Sequence, residues 1–172
     1  MARVPVAAGG DRARLAGMRL SATDVYALQA LGFLGARHGE GLVSGDAIVE
    51  ATGVARAYLA RILSSLVSHG ILVSRKGSGG GYALASEPSS ITLRDVMRAI
   101  DGPVAPLSCV SLNWHESCEL EDSCHARGAV WQKVRDAVLS ALEDVTVADL
   151  VQDRNQGNTY APCLSHLLRA GA

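Results

Sequence analysis

The reactive chemistry of this 172-residue chain is concentrated in Cys109, Cys118, Cys124 and His125, with a fourth cysteine, Cys163, near the end. Eight residues separate the first two cysteines and five the next two. Structural zinc favours tight pairs with about two to four residues between ligands, and no such pair occurs here. Three thiolates on one loop suit an iron–sulfur centre, which tolerates looser spacing. The neighbouring Glu116, Glu119, Glu121 and Asp122 make that loop polar and acidic. It is a poor place to bury three thiols that behave as small hydrophobes. The expected cofactor is therefore an iron–sulfur cluster (2Fe-2S or 4Fe-4S), with zinc or thiol oxidation as the alternative. A Cys124–His125 nucleophile is not expected, because adjacent residues rarely face each other and no orienting third group accompanies them. The chain reads as a non-enzyme, and Cys163 as an ordinary free thiol.

Such a loop needs rigid flanks. On its N-terminal side, Thr92 and Asp95 have the spacing of a capping box, followed by Val96, Met97 and Ile100 and a stop at Asp101-Gly102-Pro103. On its C-terminal side, Ala126, Val130, Val134, Val138, Leu142 and Val145 form one stripe of a long helix over about 126–144. That stripe predicts a matching helix on a second subunit, hence a homodimer. Thr146 and Asp149 cap a last short helical turn, and the tail beyond is unassigned.

Upstream lies a second functional pattern. Ser21 and Asp24 form another capping box before Val25, Leu28, Leu31 and Leu34, an amphipathic helix ended by Gly39 and Gly41. Ser44 caps a short helix that turns Ala47, Ile48 and Ala51 inward, and Gly53 supplies a sharp turn. A third helix runs from about Ala55 to His69 with Leu59, Ile62, Leu63 and Leu66 on its apolar side. Two short helices around a glycine turn read as a helix-turn-helix. Opposite the apolar side lie Arg56, Ala57, Ala60, Arg61 and Ser64. The two arginines can reach guanine edges or phosphates, and the small residues permit close approach. Strands at Ile71–Val73 and Tyr82–Ala85 then flank a glycine-rich hairpin whose tip carries Arg75 and Lys76. These two would meet phosphates or the minor groove. Gly77, Gly79, Gly80 and Gly81 do not make a phosphate loop, since no Lys-Ser/Thr and no helix follows them.

The fold expected is mainly α with a small β-hairpin wing: a winged helix-turn-helix plus a long dimerisation helix. Its divisions are a disordered arm over 1–17, a DNA-binding unit over 18–90, the cysteine loop and dimerisation helix over 91–150, and a tail over 151–172. Hydrophobic residues make up 48% and aromatics only 4%, which suits a core of packed aliphatic helices. Residues 1–90 carry nine Lys/Arg against six Asp/Glu, and residues 91–172 seven against eleven. DNA would therefore meet the basic half. No apolar run approaches the roughly 18 residues that span a bilayer. With no secretory leader in the first 17 residues either, a cytoplasmic protein with no membrane partner is expected.

The segments MRLSATDVYAL from Met18, Tyr58-Leu59 with Leu63 and Leu66, Gly70-Ile71-Leu72-Val73, RKGSGGGYALA and ITLRDVMRAIDGP resemble the winged-helix regulators of the Rrf-two family. The likeness extends from Met18 to about Leu150. That family includes an iron–sulfur-cluster regulator and a nitric-oxide-sensing repressor. The resemblance implies a homodimer crossed over a long helix, bound to double-stranded DNA at a near-palindromic operator. It matches Cys109, Cys118 and Cys124 to the family's cluster cysteines, with a longer first gap. The function implied is a sequence-specific transcription repressor that senses redox, nitric oxide or iron–sulfur status. The alternatives are sensing by zinc or thiol oxidation, or a cluster-free regulator controlled by a protein partner. Two fourth ligands are open. The family's histidine sits two positions beyond His125, where this chain has Arg127. Asp24 falls one position before the carboxylate that some relatives supply across the dimer, and its simpler reading is the capping box with Ser21. Ala55 stands where the family commonly has a capping Ser, so the third helix should start without a side-chain cap.

Overall fold

The computed structural model describes residues 21–102 and 129–156. Its elements are α1 (Ala22–Gly35), α2 (Gly45–Thr52), α3 (Arg56–Ser68), β1 (Leu72–Arg75), β2 (Gly81–Leu84), a 3-10 turn (Pro88–Ser90), α4 (Leu93–Asp101), α5 (Ala129–Asp144) and α6 (Val147–Asn155). The architecture is mainly α with a two-stranded antiparallel wing, as the patterning predicts.

Helix α1 starts at the expected capping box, with Asp24 N–H donating to Ser21 Oγ and the Asp24 carboxylate accepting from Ser21 N–H. It is not amphipathic, however. Ala27, Ala30, Leu31, Gly32, Phe33, Leu34 and Gly35 are all buried, because α2, α3, α4, α6 and β2 surround the helix. The C-terminal half, 30–35, is enclosed all round and so shows no single apolar stripe. Gly35 allows the closest of these approaches. A Cβ there would stand 2.8 Å from Val151 Cγ2 and 3.0 Å from Val147 Cγ1.

Ser44 caps α2 as predicted, and Ile48 is buried, but Ala51 is exposed rather than inward. Gly53 turns the chain in the left-handed region at φ 68°. Leu59, Ile62, Leu63 and Leu66 of α3 are buried as their spacing requires. Burying each of these side chains stabilises the fold by about 1.5–3 kcal/mol. Ala55 starts α3 without a side-chain cap.

The wing strands pair from Leu72–Leu84 to Arg75–Gly81, so β1 runs two residues further than its apolar stretch indicates. Backbone pairing, not side-chain burial, holds that end; Val73, Ser74 and Arg75 are exposed. Val43 adds a bridge to Tyr82, with N–O distances of 2.9 and 2.8 Å. The glycine cluster follows from this crowding. A Cβ on Gly81 would lie 2.2 Å from Val43 O, and one on Gly80 2.2 Å from Arg75 O.

The linker after the wing contains the 3-10 turn, and the capping box of Thr92 and Asp95 opens α4. Segments 91–93 and 145–147 pair side by side, with Leu93 N–H donating to Val145 O (2.8 Å) and Val147 N–H to Ile91 O (2.9 Å). Arg94 pairs with Glu143, which ties α4 to α5. The expected last helical turn is a full nine-residue helix, α6, whose Val147 and Leu150 are buried. One core thus joins side chains from α1, α2, α3, the wing, α4 and α6.

Candidate nucleic-acid interface and sensing segment

Arg56, Ala57, Ala60, Arg61 and Ser64 all lie on the exposed side of α3. They occupy one face because the opposite one is locked into the core by leucines at helical spacing. Arg56, the first residue of α3, pairs with Asp46 of α2. Arg61 makes no ion pair among the described residues. Arg75 closes β1, and its guanidinium Nη2 donates to Gly79 O at 3.1 Å. It therefore braces the wing turn, leaving Lys76 as the unengaged cation of the tip. No sequence pattern links Arg75 to Gly79 or Asp46 to Arg56; both contacts arise from the folded path of the chain.

Helix α3 is fastened from behind at two points. Near its start, the Tyr58 hydroxyl and Thr23 Oγ1 of α1 are 2.5 Å apart, and the Tyr58 ring stands edge-on to Tyr26. Further along, Ser65 Oγ donates to Ala99 O of α4 at 2.7 Å. The sequence reading gave Tyr58 and Ser65 no such role, since their partners are 35 and 34 residues distant.

The C-terminal end of α4 brings Asp101 close to Asp24. Burial first, then the charge of Asp24 and a hydrogen-bonding approach to it, push the Asp101 carboxyl up to about 6. Asp24 itself is fully buried, its Oδ2 accepting from Ser21 N–H and Ser21 Oγ at 2.7 Å each. Oδ1 accepts from no N–H or hydroxyl among the described residues; Asp101, when protonated, is the neighbouring group able to donate to the Asp24 carboxylate. A buried carboxylate oxygen without a donor is costly, and it is a chemically suitable donor to a metal. Cap and ligand need not compete, because the two roles use different oxygens. Cys109, Cys118, Cys124, His125 and Cys163 lie outside the described residues; in the sequence Cys109 follows the end of α4 at Asp101 by eight positions. No cluster of three or more metal-ligating side chains occurs among the described residues.

The sequence profile of the Rrf2 (Rrf-two) family, described as an iron-dependent transcriptional regulator, matches residues 20–153. The chain belongs to the Rrf2 family. The Rrf2 regulator CymR of Bacillus subtilis is 34% identical over 133 residues, covering 77% of this chain and 89% of that one. A solved structure of B. subtilis CymR, described as the global cysteine regulator, superposes with a TM-score of 0.64 at 33% identity, covering 78% and 96% of the two chains. IscR of Yersinia enterocolitica is 30% identical over 138 residues, covering 80% and 82%. The oxidized form of Staphylococcus aureus CymR superposes with a TM-score of 0.60 at 27% identity, covering 78% and 96%. These Rrf2 proteins are transcription regulators and not enzymes. The winged-helix fold and a role in DNA-binding regulation of transcription follow. No helix among the described residues is long and apolar enough to cross a membrane.

Proposed function

We propose that this Rrf2 regulator is a homodimeric repressor whose operator binding is controlled by an iron–sulfur cluster on Cys109, Cys118 and Cys124, with Asp24 as the fourth donor. The observation that carries this reading is the fully buried Asp24 carboxylate, whose Oδ1 accepts from no N–H or hydroxyl among the described residues, close to Asp101 at the end of α4. The family's description as iron-dependent agrees with it. His125 remains the competing fourth donor. When bound, the cluster supplies redox and nitric-oxide reactivity at thiolate-held iron.

The protein's own residues provide the route to DNA. Helix α4 joins the start of the cysteine segment to α3 through Ser65 and Ala99, and Asp24 follows Thr23, which holds Tyr58. Ordering of the cysteine segment would then bias the setting of α3 against half-sites about 34 Å apart in the major groove. Arg56 and Arg61 read base edges from α3, with Ala57 and Ser64 in close approach, while Lys76 and the Arg75-braced turn meet the backbone.

Anaerobically purified protein should contain iron and acid-labile sulfide, and each of Cys109→Ser, Cys118→Ser and Cys124→Ser should lose both. Cys163→Ser should retain them. Asp24→Ala should change the visible spectrum if Asp24 coordinates. If it only caps α1, the loss is about 1 kcal/mol of stability with an unchanged spectrum. His125→Ala tests the other donor in the same way. Wild-type protein with neither iron nor sulfide would end the cluster reading, and stoichiometric zinc would replace it with a zinc centre. A cluster-free protein whose DNA binding follows reversible thiol oxidation would support the second reading.

A further inference from the structure

We infer that Asp46 is a positioning residue for sequence reading: it grips one edge of the Arg56 guanidinium so that the remaining N–H fork is presented to a base. This inference rests on the reading of α3 as the recognition helix.

Arg56 occupies the first position of α3, the end of a recognition helix whose residues reach base edges. By local energetics it is badly placed there. A cation at a helix N-terminus opposes the helix dipole, α3 has no acidic residue in its first turn, and Ala55 provides no side-chain cap. The compensating charge comes from another helix. Arg56 Nη2 pairs with Asp46 Oδ1 near the start of α2, where the carboxylate is itself favoured by the dipole of α2.

Stability alone does not account for this pair. The side chains remain 70% and 68% exposed, and ion pairs in that setting contribute little to folding. On a DNA-facing surface its consequences are larger. A free arginine loses rotamer entropy when it docks, and a held one has already lost part of it. Guanidinium has five N–H donors, so one edge can stay on Asp46 while another makes the paired contact with guanine O6 and N7. The same carboxylate would also face the phosphates and weaken binding that is insensitive to sequence. Asp46 thus acts with opposite signs on selectivity and on general affinity. A purely structural residue has no reason to do so.

The test uses the full chain purified in one state and a randomised DNA duplex pool, with bound sequences read out after selection. Arg56→Ala should abolish a guanine preference at one position in each half-site. Asp46→Ala should reduce the preference at that same position by ~5-fold or more, with little change at the positions read by Arg61. It should also raise affinity for the unselected pool at low salt. The double variant should match Arg56→Ala in base preference, because Asp46 acts through Arg56. Asp46→Asn, which keeps the shape and one acceptor but not the charge, should fall between wild type and Asp46→Ala. It also serves as the decisive variant should Asp46→Ala fail to fold. If Arg56→Ala loses the preference while Asp46→Asn and every folded Asp46 variant keep it, the positioning role is overturned and α3 remains the reading helix. If Arg56→Ala keeps the full preference, the placement of Arg56 at the bases is itself overturned.

Discussion

The hydroxyls of Thr23 and Tyr58 are 2.5 Å apart and join the first turn of α1 to the first turn of α3. Thr23 immediately precedes Asp24, so the proposed ligand and the proposed DNA-reading helix are separated by one residue and one hydrogen bond. Tyr58→Phe removes that bond and keeps the ring against Tyr26. It should lower unfolding free energy by about 1 kcal/mol in urea titration. An unchanged midpoint would show that the contact contributes nothing to the setting of α3.

Lys76 and Arg61 should differ in kind. Lys76→Ala should weaken binding to all duplexes alike and reduce the slope of log affinity against log salt by about one. Arg61→Ala should cost about 1–3 kcal/mol for the selected sequence only, if its contact is a paired one to guanine. Affinities for selected and scrambled duplexes over a salt series separate the two behaviours.

The proposed homodimer would assemble through the α5 stripe. Val130 is 64% exposed on the single chain, as is much of Val134, although both belong to the expected apolar seam. Val130→Glu should therefore leave the monomer folded while placing an unpaired charge in a subunit interface, and the dimer should dissociate. Sedimentation at micromolar concentration reads the result. A monomeric wild type would contradict the dimer.

Asp101 gives stability a definite pH sign. Its folded pKa of about 6 exceeds the ordinary value of 3.8, so the native state binds more protons than the unfolded state between these two values. Stability from this group is fully present below the unfolded pKa and is lost as pH rises through about 6. Much of the residue is exposed, so solvent screening keeps the effect small. Asp101→Asn should flatten that part of the profile and stabilise the protein slightly at neutral pH. Denaturant midpoints from pH 4 to 7 that fall equally in wild type and variant would assign the trend to another group.

Much of the scaffold was legible because its signals are local. A capping box needs only residues three apart, so Ser21–Asp24, Thr92–Asp95 and Thr146–Asp149 marked three helix starts. The leucines of α3 repeat at helical spacing, and that fixed which side of the helix Arg56, Ala57, Arg61 and Ser64 present. The wing was legible from its glycines, although β1 outran its apolar residues. The pattern was weakest for α1, where burial of every residue from 30 to 35 erases periodicity, and for Ala51, whose apolar character did not bring it inside.

Tertiary structure alone decided the pairings that give those elements a purpose. Asp46 lies ten residues from Arg56, Tyr58 is 35 from Thr23, and Ser65 is 34 from Ala99. Nothing periodic connects such positions, because contact between them depends on how helices cross rather than on spacing along one helix. The same holds for Asp24. Its sequence determined the cap, made by one oxygen over three residues. Only the packing of the folded chain buried the Asp24 carboxylate and brought it close to Asp101 of α4, 77 residues away in sequence.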